Sequence, residues 1–510
     1  MNKSLNSEEI VQRISGNFKY HITIVILCLL IGTCHDFILY YLSFMQSAPY
    51  VEHINDKGED VIEMINYDIC KIGNYTIVEN KTYHNWIYEY NYYCSKFKVS
   101  FLSSSLIFGN ILGSVISNFT YKIGSKKTLC IFCLSFVFII LILIANSYVA
   151  VVITHVLLGI THTISLIIRF SLVSEITKKN YRSYVLAMLF TSGIIASMIG
   201  YALFTAFVNW WVIYFTVAGC MLCFITSFYF YSVESIRVTI SKENLEELTQ
   251  SVKYIMKING LSQVEVNNLL NDIHEESKSP KEINEPLLTE KVEFANSNNP
   301  ASNIESNTHE VKVFDKNNKD LQMAEDNNDT QENVYMVFTQ ILISFTIYII
   351  LNNMTIFEVK NYGTDITVLI FMIFNVLSIP LFFFASFLAN TPLLGRRLTL
   401  IYSFIIISII KIISIYLDKS LMKYFYMIYR VLFFSTQAVF HALINEAFTT
   451  KNRMIFYGRI FMSAKICSLA SSFILEYLSN TVYSIVIIGS LVSISAIIIF
   501  LKETRTKNIE

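Results

Sequence analysis

Long apolar runs and short polar breaks alternate along this chain, and the apolar runs share one length. About 20 residues suffice to cross a hydrocarbon core as a helix. Stretches of that order occupy Tyr20–Leu42, Val99–Phe119, Thr128–Ser147, Tyr148–Ser174, Ser183–Val208 and Trp211–Tyr231. After a polar gap come Val334–Leu351, Ile366–Ala389, Leu398–Leu417, Leu421–Phe448, Ile455–Leu478 and Thr481–Leu501. Backbone amides inside hydrocarbon must be satisfied within the protein, and these Ile/Leu/Phe-rich runs lack the two-residue alternation of a barrel strand. The pattern predicts an all-α membrane protein, 12 transmembrane helices in two six-helix bundles. The chain then divides into an N-terminal tail (1–19), a first bundle (20–232) with an external loop (46–97), a connector (233–333), a second bundle (334–501) and a C-terminal tail (502–510). The first run follows a polar start and is long enough to span by itself, as in an uncleaved signal-anchor.

Basic residues set the orientation. Lys122, Lys126 and Lys127, then Lys178, Lys179 and Arg182, then Arg396 and Arg397, then Lys451 and Arg453 fall in alternate short loops, on the side shared by both termini. Lys/Arg-rich loops stay in the cytosol, so both termini are expected there, with the plasma membrane as the location. With 54% hydrophobic and 15% charged residues, the charge content lies well below the roughly 25% of a soluble domain. A formal charge of zero leaves no basic excess for nucleic acid. No nucleophile with its base, no metal-ligand spacing and no GxxxxGKS-type phosphate loop occurs, so the sequence predicts no enzyme, metal or cofactor.

The external loop holds Cys70 and Cys94, the two of nine cysteines placed outside the membrane, with sequons at Asn74-Tyr-Thr and Asn80-Lys-Thr. An oxidising compartment predicts a Cys70–Cys94 disulfide and glycans on Asn74 and Asn80. In the connector, Leu245, Leu248, Val252 and Ile255 recur at helical spacing within Lys242–Ile258, the mark of an amphipathic surface helix. A second helix is expected over Val264–Ile273, followed by a disordered Asn/Lys/Glu/Ser-rich stretch to Asn333.

One phrase appears twice. SEITKKNYR places Glu175 seven residues before Arg182, and NEAFTTKNR places Glu446 at the same spacing before Arg453. IGSKKTL at Gly124 echoes LGRRLTL at Gly395 at the same offset, and Glu234-Ser-Ile-Arg237 echoes Glu503-Thr-Arg505 at nearly that offset. Paired landmarks in register point to an internal duplication.

These residues resemble the major facilitator superfamily, and within it the organic cation/anion transporters, a solute carrier family. Gly124-Ser-Lys126-Lys127 and Gly395-Arg396-Arg397 resemble its basic loop after the second and eighth helices. Val233-Glu-Ser-Ile-Arg237 resembles its Pro-Glu-Ser-Pro-Arg phrase, Lys502-Glu-Thr504 its closing Pro-Glu-Thr, and Asn209-Trp-Trp211 its Asp-Trp-Arg. Tyr121 departs from the family's loop Asp and His155 from its fourth-helix Arg. The resemblance implies two bundles rocking about a midplane site, with Glu175, Arg182, Glu446 and Arg453 acting as a cytosolic latch. In that reading each Glu pairs with the Arg or the basic loop of its own half, that is with Gly124, Lys126 and Lys127 or with Gly395, Arg396 and Arg397.

Charged residues inside spans are costly and usually face a watery cavity. The fourth span carries His155, His162 and Arg169, and the tenth Arg430, Gln437 and His441. Steps of seven drift only about 20° around a helix and steps of four about 40°, so each set, at steps of seven and seven or seven and four, forms one stripe. The resemblance implies that the first, fourth, seventh and tenth spans line the cavity. It also implies a charge-sensing side chain in the eleventh, an Asp in cation carriers and an Arg in anion carriers; the matching residue is Lys465. Asp36, beside His35 in the first span, is the lone acid of this set, and Tyr348 offers an aromatic face. Arg459 is expected to snorkel to the cytosolic face and Lys411 outward. The expected substrate-binding set is thus Lys465, Arg430, Gln437, His441, His155, His162, Arg169, Asp36 and Tyr348.

The function implied is alternating-access transport of small organic anions, with the lipid bilayer and a coupled proton or counter-anion as further partners. Two alternatives stand beside it: a carrier of organic cations or zwitterions with Asp36 as counter-ion, and a transporter-like sensor or scaffold that no longer transports.

Overall fold

The computed structural model describes residues 7–14, 18–45, 48–54, 60–65, 67–120, 123–145, 147–206, 208–241, 244–278, 334–347, 349, 368–417, 419–448, 450–474 and 480–501. The first half contains α1 (Ser7–Ile14), α2 (Lys19–Met45), β1 (Tyr50–Ile54), β2 (Asp60–Met64), α3 (Tyr67–Ile72), β3 (Tyr75–Ile77), α4 (Trp86–Glu89), α5 (Lys96–Thr120), α6 (Ser125–Phe132), α7 (Ser135–Ile144), α8 (Tyr148–Ile176), α9 (Arg182–Thr205) and α10 (Trp210–Tyr231). The connector supplies α11 (Ile236–Ser241), α12 (Leu245–Asn259) and α13 (Gln263–Lys278). The second half contains α14 (Val334–Ile347), α15 (Val368–Asn390), α16 (Gly395–Ile415), α17 (Lys419–Ala447), α18 (Thr450–Ile474) and α19 (Asn480–Ile499).

Among the described residues nine helices are long and apolar enough to cross a membrane. Each of the other three predicted stretches also carries a helix: α14, α18 and α19. The third span is divided at Cys133–Leu134 into α6 and α7. There the Ser135 hydroxyl donates back to the Cys133 carbonyl (3.3 Å) and also meets His35 Nε2 (2.8 Å).

Spans with no charge to pair must associate by close packing, and small residues at the contact let backbones approach. Gly109 of α5 and Gly159 of α8 face each other so closely that a Cβ on Gly159 would lie 2.3 Å from the Leu106 carbonyl oxygen. One core cluster fills the first bundle around Ile164, Ile168 and Val173, and another the second around Phe404, Phe440 and Ile460.

Outside the spans the structure adds two features. Residues 50–77 build a three-stranded antiparallel sheet in the order β2-β1-β3, with Val51 opposite both Glu63 and Ile77. Cys70 and Cys94 are bonded with Cα atoms 5.7 Å apart, and Asn74 and Asn80 are exposed. This external unit sits on the first bundle: Tyr83 donates to the Val208 carbonyl (2.7 Å), Tyr90 to the Ala145 carbonyl (2.9 Å) and Trp210 Nε1 to Glu89 (3.0 Å). At the opposite end, α12 buries Leu248, Val252 and Ile255 and stops at Gly260 in the left-handed conformation. The N-terminal tail is not simply polar chain, because α1 buries Ile10, Val11 and Ile14 against this end. Asn259 ties it down, donating to the Ile14 carbonyl (2.7 Å) and accepting from the Tyr20 amide (2.9 Å), while Arg13 pairs with Asp272 (2.7 Å). The stretch expected to be disordered lies, beyond Lys278, outside the described residues, as do Tyr121 and Glu503.

Candidate functional site

A cavity of about 160 Å³ lies between the two halves. α2, α8 and α9 wall it on one side and α14, α15, α17 and α18 on the other. Asp36, His162, Arg169, Arg430, Gln437, His441 and Lys465 all line it. The first half contributes a carboxylate already engaged: Asp36 accepts from the Ser192 hydroxyl (2.5 Å) and meets His162 Nε2 at 3.2 Å. His162 is steadied from behind by Asn110 Oδ1 (3.4 Å), to which Thr163 also donates (2.9 Å). Arg169 donates from Nε to the Ser165 carbonyl and from Nη1 to the Cys28 carbonyl, both at 3.3 Å. Its guanidinium occupies the space a side chain at Gly32 would fill, a Cβ there lying 1.7 Å from Nη1.

The second half contributes cations and aromatic surface. Arg430 lies over the Phe434 ring at 5.4 Å, half-buried as is Lys465. His441, hydrogen-bonded to Tyr457, sits in a nest of rings, with Phe190 at 4.6 Å, Phe170 at 5.0 Å and Phe345 and Phe461 each at 5.6 Å. These rings floor the cavity toward the end that carries α1 and the connector helices. Toward the other end its walls reach Tyr40, Ser197 and Met427.

Beneath the aromatic floor the halves are joined by charge. Glu175 Oε1 accepts from Arg453 Nη1 at 3.3 Å, with side chains 1% and 0% exposed, and takes a second bond from Ser171 (2.8 Å). The expectation that each Glu pairs within its own half is corrected here for the first half, where the partner comes from the second bundle. Arg182, the first residue of α9, instead donates to the Ser174 and Thr177 carbonyls (3.1 and 3.3 Å), capping the end of the preceding helix α8. In the second half Glu446 pairs with Arg396 of the basic loop. The matching loop of the first half is held by Glu234, which accepts from the Ser125 and Lys126 amides (2.8 and 3.2 Å), while Lys126 Nζ donates to the Ser232 carbonyl (2.5 Å). Gly124 and Gly395 take positive φ (104° and 64°) at these turns. Lys127 is exposed and Arg397 half-buried. Packing completes the seal at Gly458 of α18, where a Cβ would meet Ser117 Oγ at 2.4 Å.

Two sequence expectations need correction. His155 is not on the cavity wall but buried beside Trp86 of the external unit (5.9 Å between rings), with Nδ1 against the Val151 carbonyl at 2.8 Å. It lies two turns nearer the N-terminal end of α8 than His162, where the unit built by residues 50–94 covers the stripe. Lys411 does not snorkel outward; it is buried, its ammonium 5.6 Å from the Tyr429 ring. Arg459 is exposed, beside the Phe456 ring, and Tyr348 lies outside the described residues. Sequence reasoning missed Ser192, Asn110, Phe170, Phe190 and Asn375, the last placing a buried amide nitrogen without a hydrogen-bond partner at the cavity wall. Hydroxyls, amides and Phe in apolar spans carry no distinguishing pattern, and only the position of Ser192 on the α9 face opposite Asp36 marks it.

Two helical bundles enclosing an ionisable cavity, with an ion pair and tight packing closing one end, define a membrane transporter. A family model described as Major Facilitator Superfamily matches residues 84–471, and the chain belongs to that superfamily. Sequence comparison with individual curated proteins finds no match. In structure the chain is similar to the MFS proton:xylose symporter XylE bound to 6-bromo-6-deoxy-D-glucose, with 12% identity over 97% of this chain and 98% of that one and a TM-score of 0.62. It is also similar to the xylose transporter XylE from E. coli in a partially occluded inward open conformation, with 12% identity, 97% and 100% coverage and a TM-score of 0.60. At that identity the likeness concerns the fold alone.

Proposed function

We propose that this transporter carries small organic anions across the plasma membrane by alternating access, its termini in the cytosol and glycans on Asn74 and Asn80 outside. The observation that carries this reading is the charge of the cavity wall: Arg169, Arg430 and Lys465 against one carboxylate, Asp36, among the described lining residues. At an effective dielectric near 20, a unit charge about 4 Å from a cation gains roughly 4 kcal/mol before desolvation. Asp36 is already bonded to Ser192 and His162, and Lys465, half-buried on the cavity wall, is the cation that would hold a substrate carboxylate. With the termini in the cytosol, the closed Glu175–Arg453 end is the cytosolic gate and the arrangement described is outward-facing.

The test is uptake into vesicles of an aromatic monocarboxylate and an organic ammonium ion. Lys465→Ala weakens anion uptake about tenfold or more, and Lys465→Asp shifts preference toward the cation. Unchanged selectivity in Lys465→Asp at normal surface abundance defeats the anion reading. A second reading, a cation or zwitterion carrier or one coupled to protons through Asp36, is favoured by the hydrogen-bonded Asp36–His162 pair at the cavity wall. Loss of cation uptake, or of pH-gradient stimulation, in Asp36→Asn supports it over the first.

A further inference from the structure

Away from the cavity, a groove of about 410 Å³ runs between the start of α2 and the start of α9, lined among others by Phe18, His21, Val25, Lys178, Tyr181 and Met188. Its chemistry changes along its length. Lys178, Phe18 and Tyr181 stand at helix ends on the side that carries α1, with His21 in the first turn of α2. Ile22 follows His21 directly and Val25 lies one turn further along α2, while Val185 and Met188 lie about one and two turns past Tyr181 on α9. The polar end is built rather than incidental. The Lys178 ammonium lies 4.7 Å from the Phe18 ring centroid, Phe18 and Tyr181 meet edge to face at 6.0 Å, and His21, 6% exposed, has its Nδ1 buried without a hydrogen-bond partner. The deep end is apolar and open, with Ile22 56% exposed.

A cation framed by the rings of Phe18, Tyr181 and His21, at the mouth of an apolar trough, matches one kind of molecule. An anionic phospholipid presents a phosphate at that level and an acyl chain below it, and basic side chains at a leaflet surface attract such headgroups. We propose that this groove is a binding site for a single anionic phospholipid of the leaflet on the terminal side. The phosphate meets the Lys178 ammonium beside the Phe18 and His21 rings, and an acyl chain lies along Ile22, Val25, Val185 and Met188. The site adjoins the gate, since Lys178 lies between Glu175 and Arg182 in sequence, so a bound lipid braces the loop that follows the gate carboxylate at the end of α8.

The test uses the purified full chain, incubated in detergent with equal amounts of phosphatidylglycerol and phosphatidylcholine and read by native mass spectrometry. Wild type retains one phosphatidylglycerol in preference to phosphatidylcholine by about fivefold, the preference expected of one lysine at a leaflet surface. Lys178→Gln brings the ratio toward one. Lys127→Gln, an exposed lysine on the same side and outside the groove, leaves it at the wild-type value. Met188→Trp, which fills the trough and keeps the charge, lowers retention of phosphatidylglycerol itself. Equal retention of the two lipids by wild type, an unchanged ratio in Lys178→Gln, an equal loss in Lys127→Gln or full retention in Met188→Trp overturns the proposal. Monodispersity and melting temperature confirm folding, and if one groove variant misfolds the other still reads the site.

Discussion

Breaking the Glu175–Arg453 pair should open the end of the transporter that it closes. The two groups are 3.3 Å apart and essentially without solvent contact. Removing one partner of such a pair leaves a lone buried charge, which costs about 3–5 kcal/mol. That cost falls on the closed arrangement alone, because separating the bundles returns the remaining charge to water. At about 1.4 kcal/mol per tenfold, even 3 kcal/mol moves the closed-to-open ratio by roughly 100-fold. Arg453→Leu should act more strongly than Glu175→Leu: it strands a carboxylate that keeps only its Ser171 bond, whereas Glu175→Leu strands a guanidinium that can snorkel. The double variant strands nothing and should recover most of the loss. Spin labels on Lys127 and Leu393, exposed residues on the two halves at this end, report the separation as a distance distribution. Each single variant should move population to the longer distance and the double variant should return it. Unchanged distributions in both single variants, or additive loss in the double, would refute the gate.

The same label pair should show a longer distance in Gly458→Leu, because the added side chain meets Ser117 Oγ and the Ser114 carbonyl where α5 and α18 touch, an overpacking of about 1–3 kcal/mol. Cys94→Ser should lower the melting temperature of the purified protein by the equivalent of about 2–4 kcal/mol, with reductant producing the same shift in wild type, since the Cys70–Cys94 bond closes the external unit. In the connector, the Ser262 backbone amide (2.9 Å) and then its hydroxyl (2.8 Å) donate to Glu265 and hold its carboxyl below the usual range. A depressed folded value means that this contribution to α13 is present above the unfolded pKa and lost as pH falls through the folded one. The carboxyl carbon shift of Glu265 should therefore titrate below about 4.3, and Ser262→Ala should raise the midpoint toward that value.

Spans, their pairing into halves and the stripe of ionisable residues on α8 and α17 were legible because each follows from helical period and length. The period placed His162 and Arg169 on one face with His441 and Arg430 on another, and the structure turns both faces to one cavity. Depth was not legible. His155 shares the azimuth of His162 but sits where the external unit packs, and nothing in α8 announces that Trp86, from a distant loop, will cover it. Lys411 failed for a related reason: an ammonium near a helix end snorkels unless a neighbour supplies a face, and the Tyr429 ring comes from another helix. The external sheet was hidden because its strands are three to five residues long and broken by polar loops.

Partner choice was the other hidden quantity, and it explains why a duplicated phrase does not perform a duplicated task. Glu175 and Glu446 occupy equivalent places, as do Arg182 and Arg453, and symmetry alone would have each pair closing its own half. The halves differ in what else holds their basic loop. In the first, Glu234 from the connector caps the Ser125 and Lys126 amides, so the Gly124 turn is satisfied without Glu175. That carboxylate is left to reach across the interface. In the second, Glu446 is engaged by Arg396, and among the described residues the carboxylate paired with Arg453 is the one from the first half. A pair within one bundle is indifferent to how the bundles move, whereas a pair between them must break whenever that end opens. The asymmetry therefore leaves one of two equivalent carboxylates in a pair between the halves, where the proposed gate needs one, and the other in a pair within its own half. Had both been spent inside their own halves, closure would rest on neutral contacts, among them the Gly458 packing, the Asn390 bond to the Asn180 carbonyl and the aromatic floor.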